Sequence, residues 1–174
     1  LSKLYVNDIY SKDGSTHAID IDSSGRVLTP ARPAFSVRQS TALSAADYTA
    51  ADVVIPFNSE DFDIGSNVTI SSNAVFTAPV AGVYQFNLTL ILGTPTAANW
   101  VSSYLYIDGA TVSGNSDLTY RCLADPVGGD YIDLTSSHLI QLTATQTVTP
   151  YFRVNGDTSV TVRAGTRFSG FLVG

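Results

Sequence analysis

"FTAPVAGVYQFNLTL", residues 76–90, opens on a Pro and a Gly and then alternates without a break. Val83, Gln85, Asn87 and Thr89 point one way; Tyr84, Phe86, Leu88 and Leu90 point the other. A period of two with one aromatic and aliphatic face is the pattern of a half-buried β-strand. Pro79 and Gly82 mark a turn that feeds straight into it. Gly82 is expected there for a positive φ or for the close approach of another backbone. The strand continues through Ile91 and Leu92 to Gly93, which suits the centre of a sheet rather than its edge.

Working outward, almost every segment reads as strand or turn. "WVSSYLYIDGATV" turns at Asp108-Gly109, a hairpin signal, and "LTYRCLA" is a further strand. The stretch from Tyr131 to Gly174 holds three or four strands, separated by "TATQ", "NGDT" and "AGT". Upstream, "AFSVRQ" and "VVIPF" read as strands, and residues 58–79 as a long polar excursion that returns to the core at Val75 and Phe76. Nowhere do apolar residues hold a helical period. Eight to ten short strands with Gly-rich turns indicate an all-β sandwich or barrel.

Residues 1–30 form a separate unit, with short alternating runs around Asp13-Gly14 and Ser23-Ser24-Gly25. "TPARP" (29–33) reads as a stiff, extended linker, because each Pro restrains itself and the residue before it. The expected division is therefore an N-terminal β-hairpin module, 1–30, and a main domain, 31–174. The sequence has no Met. Leu1 is read as a processed start, a fragment boundary or a non-ATG start.

Charged residues make up 14% of the chain, well below the roughly 25% of a typical soluble domain. Ser, Thr and Asn fill the polar positions, as suits exposed sheets or surfaces covered by neighbouring subunits. The net charge is −6, and the nine Lys and Arg are scattered, so nucleic acid is not an expected partner. No apolar run approaches the ~18 residues of a membrane span. The single cysteine, Cys122, permits no intrachain disulfide, and it is read as a buried free thiol.

Three stretches resemble the globular head of complement component one-q and its tumour-necrosis-factor relatives. "ARPAFSVRQS" (31–40) is similar to that family's opening strand. Residues 53–90 resemble its central run, ending in Phe76, Pro79, Gly82, Tyr84 and Phe86 of the Phe-Thr-x-Pro-x-x-Gly-x-Tyr-x-Phe pattern. "RFSGFLVG" (167–174) resembles its closing strand through Phe168, Gly170 and Phe171. Val68-Thr69 stands where the family commonly has Tyr-Asp, and no Gly-X-Y collagen repeat occurs, so a complement or adipokine role is not expected. The resemblance implies a ten-strand jelly-roll sandwich assembling as a homotrimer. Tyr84, Phe86, Tyr104, Tyr106, Tyr151, Phe152, Phe168 and Phe171 then supply a core and an axial interface, each of them read first as a core aromatic.

The N-terminal unit, with "IDSSGRV" at 21–27, is similar to short β segments that precede C-terminal domains in fibre and virion proteins of tailed bacteriophages. That likeness points to a virion-surface location and to other phage structural proteins as partners of residues 1–30.

No catalytic constellation is legible: there is no Gly-x-Ser-x-Gly elbow and no phosphate-cradling loop, and the chain is not expected to be an enzyme or to need a cofactor. His17 and His138 are read as surface residues. Acidic loops at Asp61 and Asp63 and at Asp125, Asp130 and Asp133 carry oxygens that Ca²⁺ favours, but neither follows a calcium-loop pattern, so solvated turns are expected. Loops on a rigid sandwich suit recognition. Phe62, Trp100 and Tyr131 are the candidates for contact with a host-surface glycan or protein. The expected function is that of a trimeric tail-fibre or tip adhesin; the alternative is a capsid decoration or head-fibre protein anchored by its N-terminal module.

Overall fold

The computed structural model describes residues 6, 8–10, 12, 14–15, 17–43, 46–47, 52–71, 73–93, 98, 100–109, 119–123, 131–156 and 159–174. Among these there is no helix. Strands β1 (Asp8–Tyr10), β2 (His17–Ile21) and β3 (Val27–Leu28) pair only with each other, in a small antiparallel sheet. The remaining strands form two sheets. The first contains β4 (Ala34–Arg38), β5 (Ala46–Asp47), β7 (Ser59–Ile64), β10 (Gly82–Gly93), β13 (Tyr131–Leu142), β15 (Ser159–Val162) and β16 (Arg167–Leu172). The second contains β6 (Val53–Val54), β8 (Val68–Ile70), β9 (Ala74–Thr77), β11 (Trp100–Ile107), β12 (Thr119–Leu123) and β14 (Thr147–Asn155). Two antiparallel sheets packed face to face make a jelly-roll sandwich. The two-residue strands β5 and β6 are among those that raise the count above ten.

The quoted stretch is the centre of the first sheet. β10 pairs along all twelve residues with β13, and along its other edge with β16 and then β15. Tyr84, Phe86, Leu88 and Leu90 are buried, as their alternation requires. Phe35, Phe57, Phe76, Phe152 and Phe168 join them in the core. The corner before β10 is closed by Tyr84, whose hydroxyl donates to the Val80 carbonyl at 2.8 Å. Gly82 has no positive φ; the close approach is its reason, because a Cβ there would lie 2.7 Å from Leu172 Cδ1 and 3.1 Å from the Gly174 carbonyl oxygen. Gly170, facing the core, would place a Cβ 2.7 Å from Phe86 and 2.9 Å from Phe35.

Several expectations need correction. The segment 29–33 is a turn, with the Arg32 N–H bonded to the Thr29 carbonyl at 3.0 Å, because Pro30 favours the second position of a β-turn as well as extended chain. The excursion at 58–79 contains β7 and β8. Their few exposed residues lack the length to declare a pattern. The strand at "VVIPF" stops after Val54, since Pro56 has no N–H for a ladder. His138 is not a surface residue: it lies on the inward parity of β13, half-buried, and burial lowers its pKa.

The aromatic assignment divides by parity. Tyr84, Phe86, Phe152 and Phe168 are in the core, but Tyr104, Tyr106 and Tyr151 lie on the outward face of the second sheet. There Tyr106 and Tyr151 stack with centroids 4.1 Å apart. The Tyr106 hydroxyl donates to Asp52, and burial together with that carboxylate raises its pKa. Phe171 faces outward on the first sheet.

Candidate functional site

The two ends of the sandwich differ. At one end β10 begins beside the C-terminus, with the Val83 N–H bonded to the Gly174 carbonyl at 2.8 Å. Arg32, just after β1–β3, donates through Nη2 to the Val173 carbonyl at 2.7 Å. A cleft lined by Ala18, Thr29, Pro33, Val80 and Leu172 lies between the small sheet and the sandwich at this end. The other end lies at Gly93, roughly 35 Å along the strand at about 3.3 Å per residue.

At that far end Tyr131 starts β13 opposite Gly93. Its side chain is 54% exposed. Together with Ala42, Ile91, Asp133, Arg163 and Ala164 it lines an open cleft of about 360 Å³. Arg163 Nη2 donates to the Tyr131 hydroxyl at 2.8 Å, and its Cζ lies 4.7 Å from the centre of the Tyr131 ring. Arg163 had no sequence signal: the Tyr131 hydroxyl that it bonds is 32 positions away.

The other contact candidates lie elsewhere. Phe62 is 48% exposed on β7, at the opposite edge of the first sheet from β13. Trp100 starts β11 on the outward face of the second sheet, half-buried, with the Arg153 guanidinium 5.8 Å from its ring centre. Phe62 and Tyr131 thus share the outer face of the first sheet at its opposite edges, whereas Trp100 faces outward on the second sheet.

The described acidic loop is already occupied. Asp61 accepts from Arg38 Nε at 2.6 Å, Arg167 Nη1 at 2.5 Å and Ser36 Oγ at 3.1 Å. Burial opposes its charge, but these partners outweigh it and hold the carboxyl below its usual value. Asp63 accepts the backbone N–H groups of Asn67 and Val68 at 3.0 and 2.8 Å. Both are structural acids, binding the edge strand β7 and its turn. Among the described residues no three His, Cys, Asp or Glu side chains gather as metal ligands. Asp125 and Asp130 lie outside the described residues, and Cys122 is on β12.

With two antiparallel sheets, a Phe-rich core and the Tyr84 corner in place, residues 34–173 match the C1q domain model. The chain belongs to the C1q domain family. Among solved structures it is similar to the globular domain of zebrafish complement 1qA protein, at 18% identity and a TM-score of 0.59, over 82% of this chain and 98% of that one. It is also similar to murine APRIL, at 11% identity and a TM-score of 0.54, over 81% of this chain and 98% of that one. At such identities the likeness concerns the fold. No curated protein sequence matches. C1q domains are typically structural or ligand-binding modules.

Proposed function

We propose that this chain is a trimeric bacteriophage virion surface protein whose C1q domain binds a host-cell receptor, in the manner of a tail-fibre tip. The observation that carries the reading is the separation of an attachment surface at one end of the domain from an open cleft at the other. Val6, Ile9, Tyr10, Ile21, Val27 and Leu28 are all exposed on or beside β1–β3. A three-stranded sheet has no second layer with which to bury such side chains, so a partner protein is their natural cover. The likeness of this segment to phage fibre modules supports other virion proteins as that partner.

The outer face of the first sheet supports self-association, as in a family whose domains form trimers. Leu139 is 65% exposed and Phe171 is 43% exposed. Both are cross-strand neighbours of Gln85, on opposite sides. Gln85 also hydrogen-bonds to Asn87 and Ser137 of the adjoining row, which bond to each other. Two exposed apolar side chains among neutral polar ones make an uncharged patch suited to a closed cyclic assembly. No catalytic step and no cofactor enter this reading.

The exposed β1–β3 surface also favours a second reading, in which the module grips the capsid and the domain decorates the head. Two measurements test the proposal. Light scattering should give three times the 18.4 kDa chain mass, and a monomer at micromolar concentration would contradict the assembly. Purified chain should compete with phage for host cells. Unchanged adsorption, with binding of the chain to undecorated capsids, would replace adhesion by decoration.

A further inference from the structure

Arg163 is positioned from three sides. Its backbone N–H bonds to the Ile91 carbonyl at 2.9 Å. Its stem crosses Gly93, where a Cβ would lie 2.8 Å from Cδ and 3.3 Å from Cγ, so only a glycine lets the side chain take this path. Its guanidinium lies against the Tyr131 ring and donates to the hydroxyl, which uses one edge of the fork. The remaining donors have no carboxylate within reach among the described residues, whereas Arg26, Arg38, Arg153 and Arg167 each have one within 4.0 Å. Asp133 lines the same cleft and has no hydrogen-bond or ion-pair partner among the described residues. A pre-positioned cation and an unengaged anion thus share a cleft of about 360 Å³ without pairing with each other.

We propose that the Tyr131–Asp133–Arg163 cleft binds a carboxylate-bearing sugar of the hexuronic-acid class. A guanidinium fork matches a carboxylate in two-point geometry. Asp133 can accept hydrogen bonds from sugar hydroxyls, and the Tyr131 hydroxyl can donate to one. The volume lies at the small end of the range for small-molecule sites, which suits one monosaccharide unit. Phosphate offers no hydroxyl-rich side for Asp133 and is repelled by it. A neutral sugar leaves the positioned charge of Arg163 without its counterpart. The cleft lies on the same outer face as the Leu139 and Phe171 patch, about six residues or roughly 20 Å along the sheet from it. The role of the site as a receptor contact rests on the adhesion reading; its chemistry does not. In a trimer three such sites would strengthen capture of a repeating acidic glycan by avidity.

The test is a titration of the full chain with glucuronic acid, galacturonic acid, glucose and inorganic phosphate, followed by saturation-transfer NMR and calorimetry. The uronates should bind with a Kd on the order of 1 mM. Glucose and phosphate should bind about tenfold more weakly or less, the size of one charge-assisted hydrogen bond. Arg163→Met should lose at least that factor while keeping the apolar stem, and Asp133→Asn, on an exposed strand position, should weaken binding without unfolding the chain. No uronate binding, equal binding of glucose, or unchanged binding by Arg163→Met would overturn the site. Failure here alongside successful competition for host cells removes the sugar assignment alone. Uronate binding without competition supports the site and contradicts adhesion.

Discussion

Gly170→Ala should be among the most damaging single-methyl additions to this domain. The new Cβ would sit 2.7 Å from Phe86 Cδ1, 2.9 Å from Phe35 Cε1 and 3.0 Å from Phe86 Cε1. Carbon contacts are comfortable at about 3.5–4.0 Å, so two rings must each yield by roughly 1 Å. The backbone has little freedom to retreat, because Gly170 is paired to Phe86 on one side and to Phe35 on the other. The rings are held as well: Phe35 stacks on Phe76 at 5.1 Å and meets Phe168 edge-on at 5.0 Å, and Phe86 stacks on Phe168 at 5.8 Å. Overpacking of this kind costs about 1–3 kcal/mol. The lower chain entropy of Ala in a strand returns about 0.5–1 kcal/mol. Taking the middle of each range, the net loss is about 1 kcal/mol, or a Tm lower by about 2–4 °C for a chain of this size. Urea unfolding at matched protein concentration measures it, with Gly174→Ala, where a Cβ meets nothing within 4 Å, as the neutral control. Phe86→Leu combined with Gly170→Ala should be more stable than the sum of the two changes predicts, because the smaller side chain makes room. An unchanged or higher stability for Gly170→Ala would refute the packing argument.

Tyr84→Phe should cost about 1 kcal/mol through the bond lost to Val80, measured by the same unfolding assay, and no loss would show that the corner closes without it. Acid should destabilise the fold in two stages. His138 has a lowered pKa, so its contribution falls away as pH drops below the ordinary 6.5, and His138→Gln should flatten that stage of a Tm-versus-pH curve. Asp22, Asp61 and Asp108 are also held low, so their contribution is intact above 3.8 and is lost as pH falls through their folded values; Asp61→Asn should reduce this second stage. Chelation should leave Tm unchanged, since the oxygens of Asp61 and Asp63 are already engaged, and a large drop with EDTA restored by Ca²⁺ would contradict that.

Strands with a strict alternation were legible: the parity of β10 alone assigned Tyr84 through Leu90 to their faces, and "TATQ", "NGDT" and "AGT" divide β13 to β16 as read. Alternation does not say which face of which sheet meets the core, however. That is why Tyr104, Tyr106 and Tyr151, as regular in sequence as Phe86, stand on the outer face beside Asp52 and Arg153. β7 gave no pattern because its residues are mostly exposed, and β8 because three residues are too few to show an alternation. The candidate site was half legible. Tyr131 was visible as an aromatic next to a loop, but Arg163 depends on the missing side chain of Gly93 across the sheet, a relation no local window contains. Asp61 illustrates the reverse error: oxygens that suggested a cation site are spent on Arg38 and Arg167, brought to it by strand pairing.

The most direct test of the account is the location of the protein on the particle, by gold-labelled antibody and electron microscopy of intact virions. The adhesion account predicts gold at the distal end of the tail or its fibres. Gold spread over the head, with none on the tail, would contradict it.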